Sequence, residues 1–449
     1  MNDIIVRNMC KVVLPDEFKL DVFRMYTYYK RGQAEPITSY RFKNGIAYLP
    51  LNMEKLKIVA NMIGANIVDL RGQNNDPPQK FEINPEFKFR DYQVEPAKEL
   101  LKYIQENKYG TFVAPCGTGK TLLLAHTASQ LGEATLTLVD QSNLMDNWIE
   151  SNLILCNRPT QIITSKTKEL EHNAITTFQL LNRNDDLLYR VKQKYGCLLI
   201  DESHTITAKT YTKIIFQLDN KYRISTSATF FNKNLPTELL VDCCGSPVCV
   251  EMKDKNALVP HVDFINTGVD IPSESPDEFT SKTLPYLSEN DKRNQIILDL
   301  VRKGTSENRH IVVICIKQDM ARYLADKSNE FCSAVSYVGT TNRAKDLEIK
   351  TKFESGEIDV VFTCKKLDKG TDFTIADMLI NARPGNNKSS TQQISGRIVR
   401  KKEGKPVPLI FDLVDRGRLS WRFASNRHGW YQEFGYTFKE SSYLFLDMF

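Results

Sequence analysis

Ala114-Pro-Cys-Gly-Thr-Gly-Lys-Thr121 separates a β-branched, apolar run, Gly110-Thr-Phe-Val-Ala114, from a run of helix formers, Leu122 to Leu131, that stops at Gly132. A strand, a glycine loop and a helix start bring backbone N–H groups and the positive end of a helix to one point, which suits an anion. Gly117 and Gly119, with Thr118 between them, let the backbone wrap closely around phosphate oxygens. Lys120 supplies a point charge for the β- and γ-phosphates, and the Thr121 hydroxyl suits a magnesium ion. Ala114 stands where the usual pattern has its first glycine, so the match is to a variant.

A second string, Leu198-Leu-Ile-Asp-Glu-Ser-His204, places Asp201 81 residues after Lys120. Cys197 to Ile200 reads as a buried strand, since parallel strands covered on both faces are continuously apolar. Asp201 and Glu202 then fall at its C-terminal end, where open α/β sheets bind ligands. Asp201 suits magnesium, and Glu202 suits orienting and deprotonating an attacking water. An acidic pair also suits a helix N-terminus; the phosphate loop upstream favours triphosphate hydrolysis.

Around these strings the chain alternates helix and strand. Between residues 88 and 245 the strand candidates are Thr111–Ala114, Thr135–Val139, Leu198–Ile200 and Tyr222–Ser225, which predicts a doubly wound parallel sheet. A second series over 290–449 has candidates at Ile311–Ile316, Val360–Cys364, Met378–Ile380 and Leu409–Leu413. Residues 246–289 read as a connector, Ser/Pro/Glu-rich and weakly patterned from Thr267. Residues 1–80 read as a separate small α+β domain, ending in the linker Gly72-Gln-Asn-Asn-Asp-Pro-Pro78. Within it Phe18–Phe23 alternates in part, Asn44-Gly45 signals a hairpin, and Asn52 and Gly64 bracket a short helix before a strand at Asn66–Leu70.

Composition bounds the reading. A 41% hydrophobic and 26% charged chain of 449 residues suits a soluble globular protein of roughly three domains. No apolar run approaches the ~20 residues that span a bilayer, and the N-terminus lacks a secretory pattern. Ten scattered cysteines, several in strand-like runs, point to free thiols in a reducing cytoplasm. Cys243, Cys244 and Cys249 lack paired metal-ligand spacing. The net charge of +5 is unevenly spread: Lys388–Trp430 holds 10 basic against 3 acidic residues, and Met1–Arg90 14 against 10. Such segments suit a phosphate backbone or a solvated face, and counting does not choose.

Four further strings carry chemistry. In Arg90-Asp-Tyr-Gln93, Gln93 can pair with adenine N6 and N7 while Arg90 or Tyr92 stacks on the base; a surface turn reads equally well. Ser227-Ala228-Thr229 follows a strand and suits either a link to a moving interface or a simple cap. In Thr363–Asp372, the Thr363 hydroxyl and Gly370 suit a phosphate backbone and Asp372 the nucleotide, or the stretch is an ordinary polar loop. In Gln392–Arg400, Arg397 and Arg400 share a helical face, Gly396 permits close approach and Gln393 can position water. Arginines brought to a transferring phosphoryl group are worth about 10³–10⁵ in rate.

In this order, the strings resemble superfamily 2 helicases and translocases over residues 88–430: RDYQ as the Q motif, then motifs I, II (Asp-Glu-Ser-His), III, V and VI, with Val139–Leu144 and Thr176–Gln179 as looser motifs Ia and Ib. The chain is similar to phage recombination helicases of the UvsW type, the T5-type phage enzyme among them. The resemblance implies two tandem RecA-like domains, ATP and Mg²⁺ as cofactors, coupling through His204, Ser227, Ala228 and Thr229, and nucleic-acid contact at Thr177 and Thr363. It implies an ATP-dependent DNA helicase that remodels forks, D-loops or Holliday junctions in the cytoplasm, of the host if phage-encoded, with recombination or replication proteins as partners. Branched DNA would lie with duplex arms on residues 1–80 and one strand across both motor domains. Val399 departs from the glycine often found in motif VI. An RNA helicase shares every core motif, a restriction-type motor subunit would be expected to carry a nuclease domain or long coupling region as well, and a non-hydrolysing DNA clamp shares the fold.

Overall fold

The structure is a computed structural model that describes residues 3–7, 9–29, 35–71, 78–114, 118–207, 209–227, 237–249, 252, 258–338, 343–364, 373–396, 398 and 404–439. The chain divides into two compact units, Met1–Lys253 and Asp254–Phe449.

The first unit begins with a five-stranded sheet in the order Arg41–Lys43, Ile46–Leu49, Cys10–Val13, Ile4–Val6, Ile67–Asp69. Its pairs are antiparallel except the last, which is parallel. Asn44 and Gly45 take φ of 52° and 76°, the left-handed pair that a two-residue hairpin turn needs. Asn52 caps the helix Met53–Ile63, its side chain accepting from Lys55 N at 3.2 Å, and Gly64 closes it at φ 64°. Phe18–Phe23 is not extended. It lies within the helix Asp16–Met25, which carries Asp16 and Glu17 in its first turn and Arg24 in its last. A short apolar run has no decisive period, and only Val22 of this helix is fully covered.

The next sheet has seven strands, all parallel, in the order Gln161–Ile162, Asn173–Thr177, Thr135–Val139, Cys197–Ile200, Tyr222–Ser227, Tyr109–Val113, Pro247–Cys249. Alternate side chains feed two cores. Leu136, Leu138, Leu198 and Ile200 pack on one face, and Val139, Ile175, Cys197 and Leu199 on the other. This double cover is why the strands are apolar throughout.

The N-terminal sheet forms the expected small α+β domain and shares the first compact unit with the seven-stranded sheet. One tie is the fully buried carboxylate of Asp242, on the helix Thr237–Cys244. It accepts from Ser39 Oγ at 3.0 Å, Asn52 Nδ2 at 3.0 Å, Lys55 Nζ at 3.2 Å and the Tyr28 hydroxyl. All four donors belong to the N-terminal domain, and burial pushes the Asp242 carboxyl up against them.

The second unit holds another all-parallel sheet, in the order Ala334–Tyr337, Val360–Thr363, Ile311–Ile314, Met378–Asn381, Leu409–Arg416, His261–Asp270, Thr437–Phe438. The expected connector over 246–289 is therefore corrected. His261–Asp270 is an interior strand, paired with Leu409–Arg416 on one side and Thr437–Phe438 on the other, and 276–289 is helical. Val262, Phe264, Thr267 and Val269 are buried, but interleaved Asp, Asn and Thr residues hide the pattern. Leu409–Arg416 also outruns its expected end at Leu413, because Asp415 beyond that point is paired within the fold, as Asp412 before it is. Asp412 takes a two-pronged bond from Arg427, with Tyr431 OH and Asn381 Nδ2 each at 3.0 Å. Asp415 takes Arg293 Nε at 2.9 Å and Thr267 Oγ1 at 2.7 Å. Arg427 thus belongs to the core and leaves the basic count of the C-terminal segment. Among the described residues no helix is long and apolar enough to cross a membrane.

Removing one partner from a buried ion pair leaves the others unmatched, at a cost of about 3–5 kcal/mol. Asp242→Ala is accordingly expected to lower the stability of the first unit by roughly 3 kcal/mol, read as an earlier urea transition. Glu95→Ala, which breaks an exposed i,i+3 pair with Lys98, should shift it by less than about 0.5 kcal/mol.

Candidate active site

The phosphate-loop strand Tyr109–Val113 leads to the helix Lys120–Leu131. Gly119 caps this helix at φ 84°, and a Cβ there would stand 2.4 Å from Gln93 Nε2. Gly119 is therefore required twice, by its backbone and by its neighbour. Gln93 comes from the first turn of the helix Asp91–Asn107. Its Nε2 donates to Thr118 O at 2.9 Å and its Oε1 accepts from Arg90 N at 3.1 Å. A buried glutamine thus braces the loop from behind. Arg90 Nη1 reaches Tyr92 OH at 3.1 Å. Lys120 is nearly buried and donates to Ala114 O at 3.2 Å. Thr121 follows in the first turn, half-buried.

Asp201 and Glu202 emerge from Cys197–Ile200, in the middle of the same sheet. Asp201 Oδ1 accepts the Glu202 backbone N–H at 2.9 Å, and Oδ2 accepts the indole N–H of Trp148 at 3.0 Å. Glu202 takes φ 48°, a left-handed conformation that costs a residue with a side chain about 1–3 kcal/mol. Such strain after a strand is a mark of a constrained site. Burial, reinforced by the Glu202 carboxylate, pushes the Asp201 carboxyl up to about 6 against the opposing pull of Trp148, Lys120 and the Glu202 N–H. A carboxylate fixed at both oxygens beside a lysine and a hydroxyl-bearing helix start is a hard, oxygen-rich donor set, and it fits a divalent cation.

Three further side chains join this edge. Gln179 Nε2 donates to Asp140 O at 2.8 Å and to Tyr211 OH at 2.6 Å, and Tyr211 OH donates to Asp140 Oδ1 at 2.7 Å. They link the end of Thr135–Val139, the helix Phe178–Asn182 and the helix Lys209–Ile215. Thr177 caps the second of these, its hydroxyl accepting from Leu180 N at 3.3 Å. Ser227 ends Tyr222–Ser227, fully buried and in register with Val113 of the phosphate-loop strand.

The structure thus gathers Gln93, Thr118, Gly119, Lys120, Thr121, Asp201, Glu202 and Ser227 in the first unit, on and around one sheet. In the second unit, Thr363 ends Val360–Thr363, its buried hydroxyl without a hydrogen-bond partner among the described residues. Gln393 lies half-buried on the helix Lys388–Ser395. Gly117, Ala228, Thr229, Gly370, Asp372, Arg397 and Arg400 lie outside the described residues, as does the side chain of His204, whose backbone is in the turn Ser203–Thr207. Reading the sequence missed Trp148, Asp140 and Tyr211. A tryptophan, one of three in the chain, just after the strand Thr135–Val139 was the available signal.

Residues 86–232 match the family described as the res subunit of type III restriction enzymes, and residues 292–402 match the helicase conserved C-terminal domain. The chain belongs to the superfamily 2 helicases. A putative helicase of Invertebrate iridescent virus 6 is 24% identical over 90% of this chain and 92% of its own length. A putative ATP-dependent RNA helicase of Acanthamoeba polyphaga mimivirus is 22% identical over 78% and 69%. A probable helicase of Escherichia phage T5 is 21% identical over 71% of each chain. Among solved structures, the helicase MrfA bound to DNA matches with a TM-score of 0.57 at 17% identity, covering 80% of this chain and about half, 52%, of MrfA. T4 UvsW covers 97% of this chain and 98% of its own at a TM-score of 0.42 and 15% identity. The two all-parallel sheets are the tandem RecA-like domains of this helicase family, and the helicase domains imply ATP hydrolysis with a bound metal ion.

The Asp201 carboxyl in this helicase holds its proton between the ordinary value of 3.8 and about 6, where an unfolded chain has already released it. The site therefore favours the folded state less as pH rises through that window. Carbon-13 NMR of the Asp201 carboxyl should give a midpoint near 6. Glu202→Gln removes a repelling charge and should lower that midpoint; an unmoved midpoint would show that Glu202 does not act on Asp201.

Proposed function

We propose that the protein is an ATP-dependent DNA helicase or translocase that remodels branched DNA, by branch migration, fork regression or D-loop and Holliday-junction processing. The convergence of the braced phosphate loop with Asp201 and Glu202 at one sheet carries the ATPase part of this reading. Lys120 and the loop N–H groups hold the phosphates, with Arg90 at the base and Gln93 acting on the nucleotide through the loop that it braces. Thr121 and Asp201 would hold Mg²⁺, which when bound neutralises phosphate charge. Glu202 takes the proton of the attacking water. Gln393, Arg397 and Arg400 complete the site from the second RecA-like domain, and Gly370 and Asp372 flank the nucleotide. His204, Ser227, Ala228 and Thr229 couple turnover to movement. Thr177 and Thr363 contact the strand, and contacts to the backbone keep the motor blind to sequence.

The preference for DNA is supported by MrfA, solved with DNA bound. The mimivirus relative, named an RNA helicase, supports the second reading. Duplex arms are assigned to the N-terminal sheet. Register places Arg41, Tyr48 and Lys11 in one row and Lys43, Ile46 and Val13 in the next on the same face. Arg41, Lys43 and Lys11 are exposed, and neither row holds an acidic residue.

A panel of fork, Holliday-junction, D-loop, linear and RNA duplex substrates tests the assignment: ATP-dependent processing should be fastest on branched DNA, and preference for RNA duplexes would overturn it. Glu202→Gln should retain ATP binding and lose about 10²–10⁴-fold in hydrolysis. Charge reversal at Arg41, Lys43 and Lys11 should weaken junction binding and flatten its salt dependence by about one logarithmic unit for each phosphate left unneutralised, with DNA-free ATPase unchanged. Junction affinity equal to that of the unaltered protein would remove the N-terminal sheet from the reading.

A further inference from the structure

Asp201 is held at both oxygens by neutral donors, one local and one distant. The local donor is the N–H of Glu202, the next residue. The distant one is Trp148 Nε1, 3.0 Å from Oδ2 and 53 residues earlier in the chain. Trp148 is fully buried on the helix Met145–Cys156, which packs against the phosphate-loop helix Lys120–Leu131. Its ring lies in the same core cluster as Leu123, Leu124 and Leu199, so packing fixes the indole before any ligand arrives.

The chemistry of the donor matters. A hydroxyl or an amide can turn to offer an acceptor instead, whereas an indole N–H only donates. It satisfies one lone pair of Oδ2 and offers no acceptor in exchange. With Oδ1 held by a backbone N–H, the carboxylate cannot rotate about its Cβ–Cγ bond without breaking one of two bonds in a buried setting. The plane of the carboxylate is therefore set by the core of the domain.

We propose that Trp148 is a positioning residue for the metal site: by holding Oδ2 it fixes the orientation in which Asp201 meets the divalent cation of a metal–nucleotide complex. This rests on the reading of Asp201 as the metal-binding carboxylate. Partners that orient a ligating group typically change metal affinity by about 10–100-fold when removed. Phenylalanine keeps most of the ring and lacks the donor.

The test uses the full chain. In Trp148→Phe, the half-saturating Mg²⁺ concentration for ATP hydrolysis should rise about ten-fold, with kcat at saturating Mg²⁺ within about two-fold. Calorimetric titration of Mn²⁺ into the protein with a non-hydrolysable ATP analogue should show the same weakening without turnover. Leu155→Ala, a buried change on the same helix, should lower the melting temperature and leave the metal dependence in place. A second measurement keeps Trp148 itself: with Trp421 and Trp430 replaced by Phe, its emission should respond to Mn²⁺ plus the analogue, and Asp201→Asn should abolish the response. Unchanged metal affinity in Trp148→Phe, an equal shift in Leu155→Ala, or a silent Trp148 would each overturn the inference. If Asp201→Asn binds metal as well as the unaltered protein, the reading of Asp201 fails. If it loses metal while Trp148→Phe keeps it, only the role of Trp148 fails.

Discussion

Parallel pairing is the constraint on which the rest of this structure depends. Every strand of the two seven-stranded sheets runs the same way as its neighbours. Each return to the sheet therefore needs a crossover, the crossovers cover both faces, and all the strand C-termini open on one edge. Val113, Val139, Thr177, Ile200 and Ser227 end there, although 114 residues separate the first from the last. Short polar strings placed just after buried strands are thereby collected without any contact between them in sequence. The backbone turns sharply at that edge, and the left-handed Glu202 and Gly119 both lie there.

Four buried carboxylates are met in three ways. Asp412 and Asp415 each face an arginine held in the core, so their charge is met inside the fold. Asp242 meets a lysine and three neutral donors, and that arrangement binds one domain to another. Asp201 is held by two neutral N–H groups, with a second carboxylate next to it and Lys120 as an opposing charge nearby. Its neighbours fix its position and leave its charge largely unanswered. Asp242, Asp412 and Asp415 each meet a lysine or an arginine at hydrogen-bond distance, whereas Asp201 meets neutral donors, the condition under which a buried carboxylate has charge to offer a cationic ligand.

Legibility in the sequence follows the range of the interactions. The phosphate loop, the Asp201–Glu202 pair, the Asn44–Gly45 turn and the Asn52 cap are local, so residue types a few positions apart reveal them. Trp148, Asp242 and Tyr211 act across 53, 190 and 71 residues respectively, and nothing in their own neighbourhoods announces the partner. The strand His261–Asp270 was hidden for another reason. Asp263 and Thr267 are buried with partners of their own, Lys439 and Asp415, so a fully paired interior strand looks polar. Phe18–Phe23 shows the opposite error, since an apolar run too short to display a period was given the wrong one.

The Tyr211 network shows what this arrangement asks of any motion at the site. The turn Ser203–Thr207 follows directly on Glu202 and runs toward the helix Lys209–Ile215, whose Tyr211 is stacked on Phe178 with ring centroids 4.5 Å apart. The same phenol accepts from Gln179 and donates to Asp140. A displacement of the turn that carried this helix with it would have to move Asp140 and Gln179 too, or break the bond from Tyr211 to the half-buried Asp140 carboxylate, worth about 1.5–3 kcal/mol for a charged acceptor. Hydrogen-bond networks of this kind are one physical means by which distant parts of a domain are coupled. Here the network joins the segment that begins at the strained Glu202 to the two strand ends that precede the helices Met145–Cys156 and Phe178–Asn182.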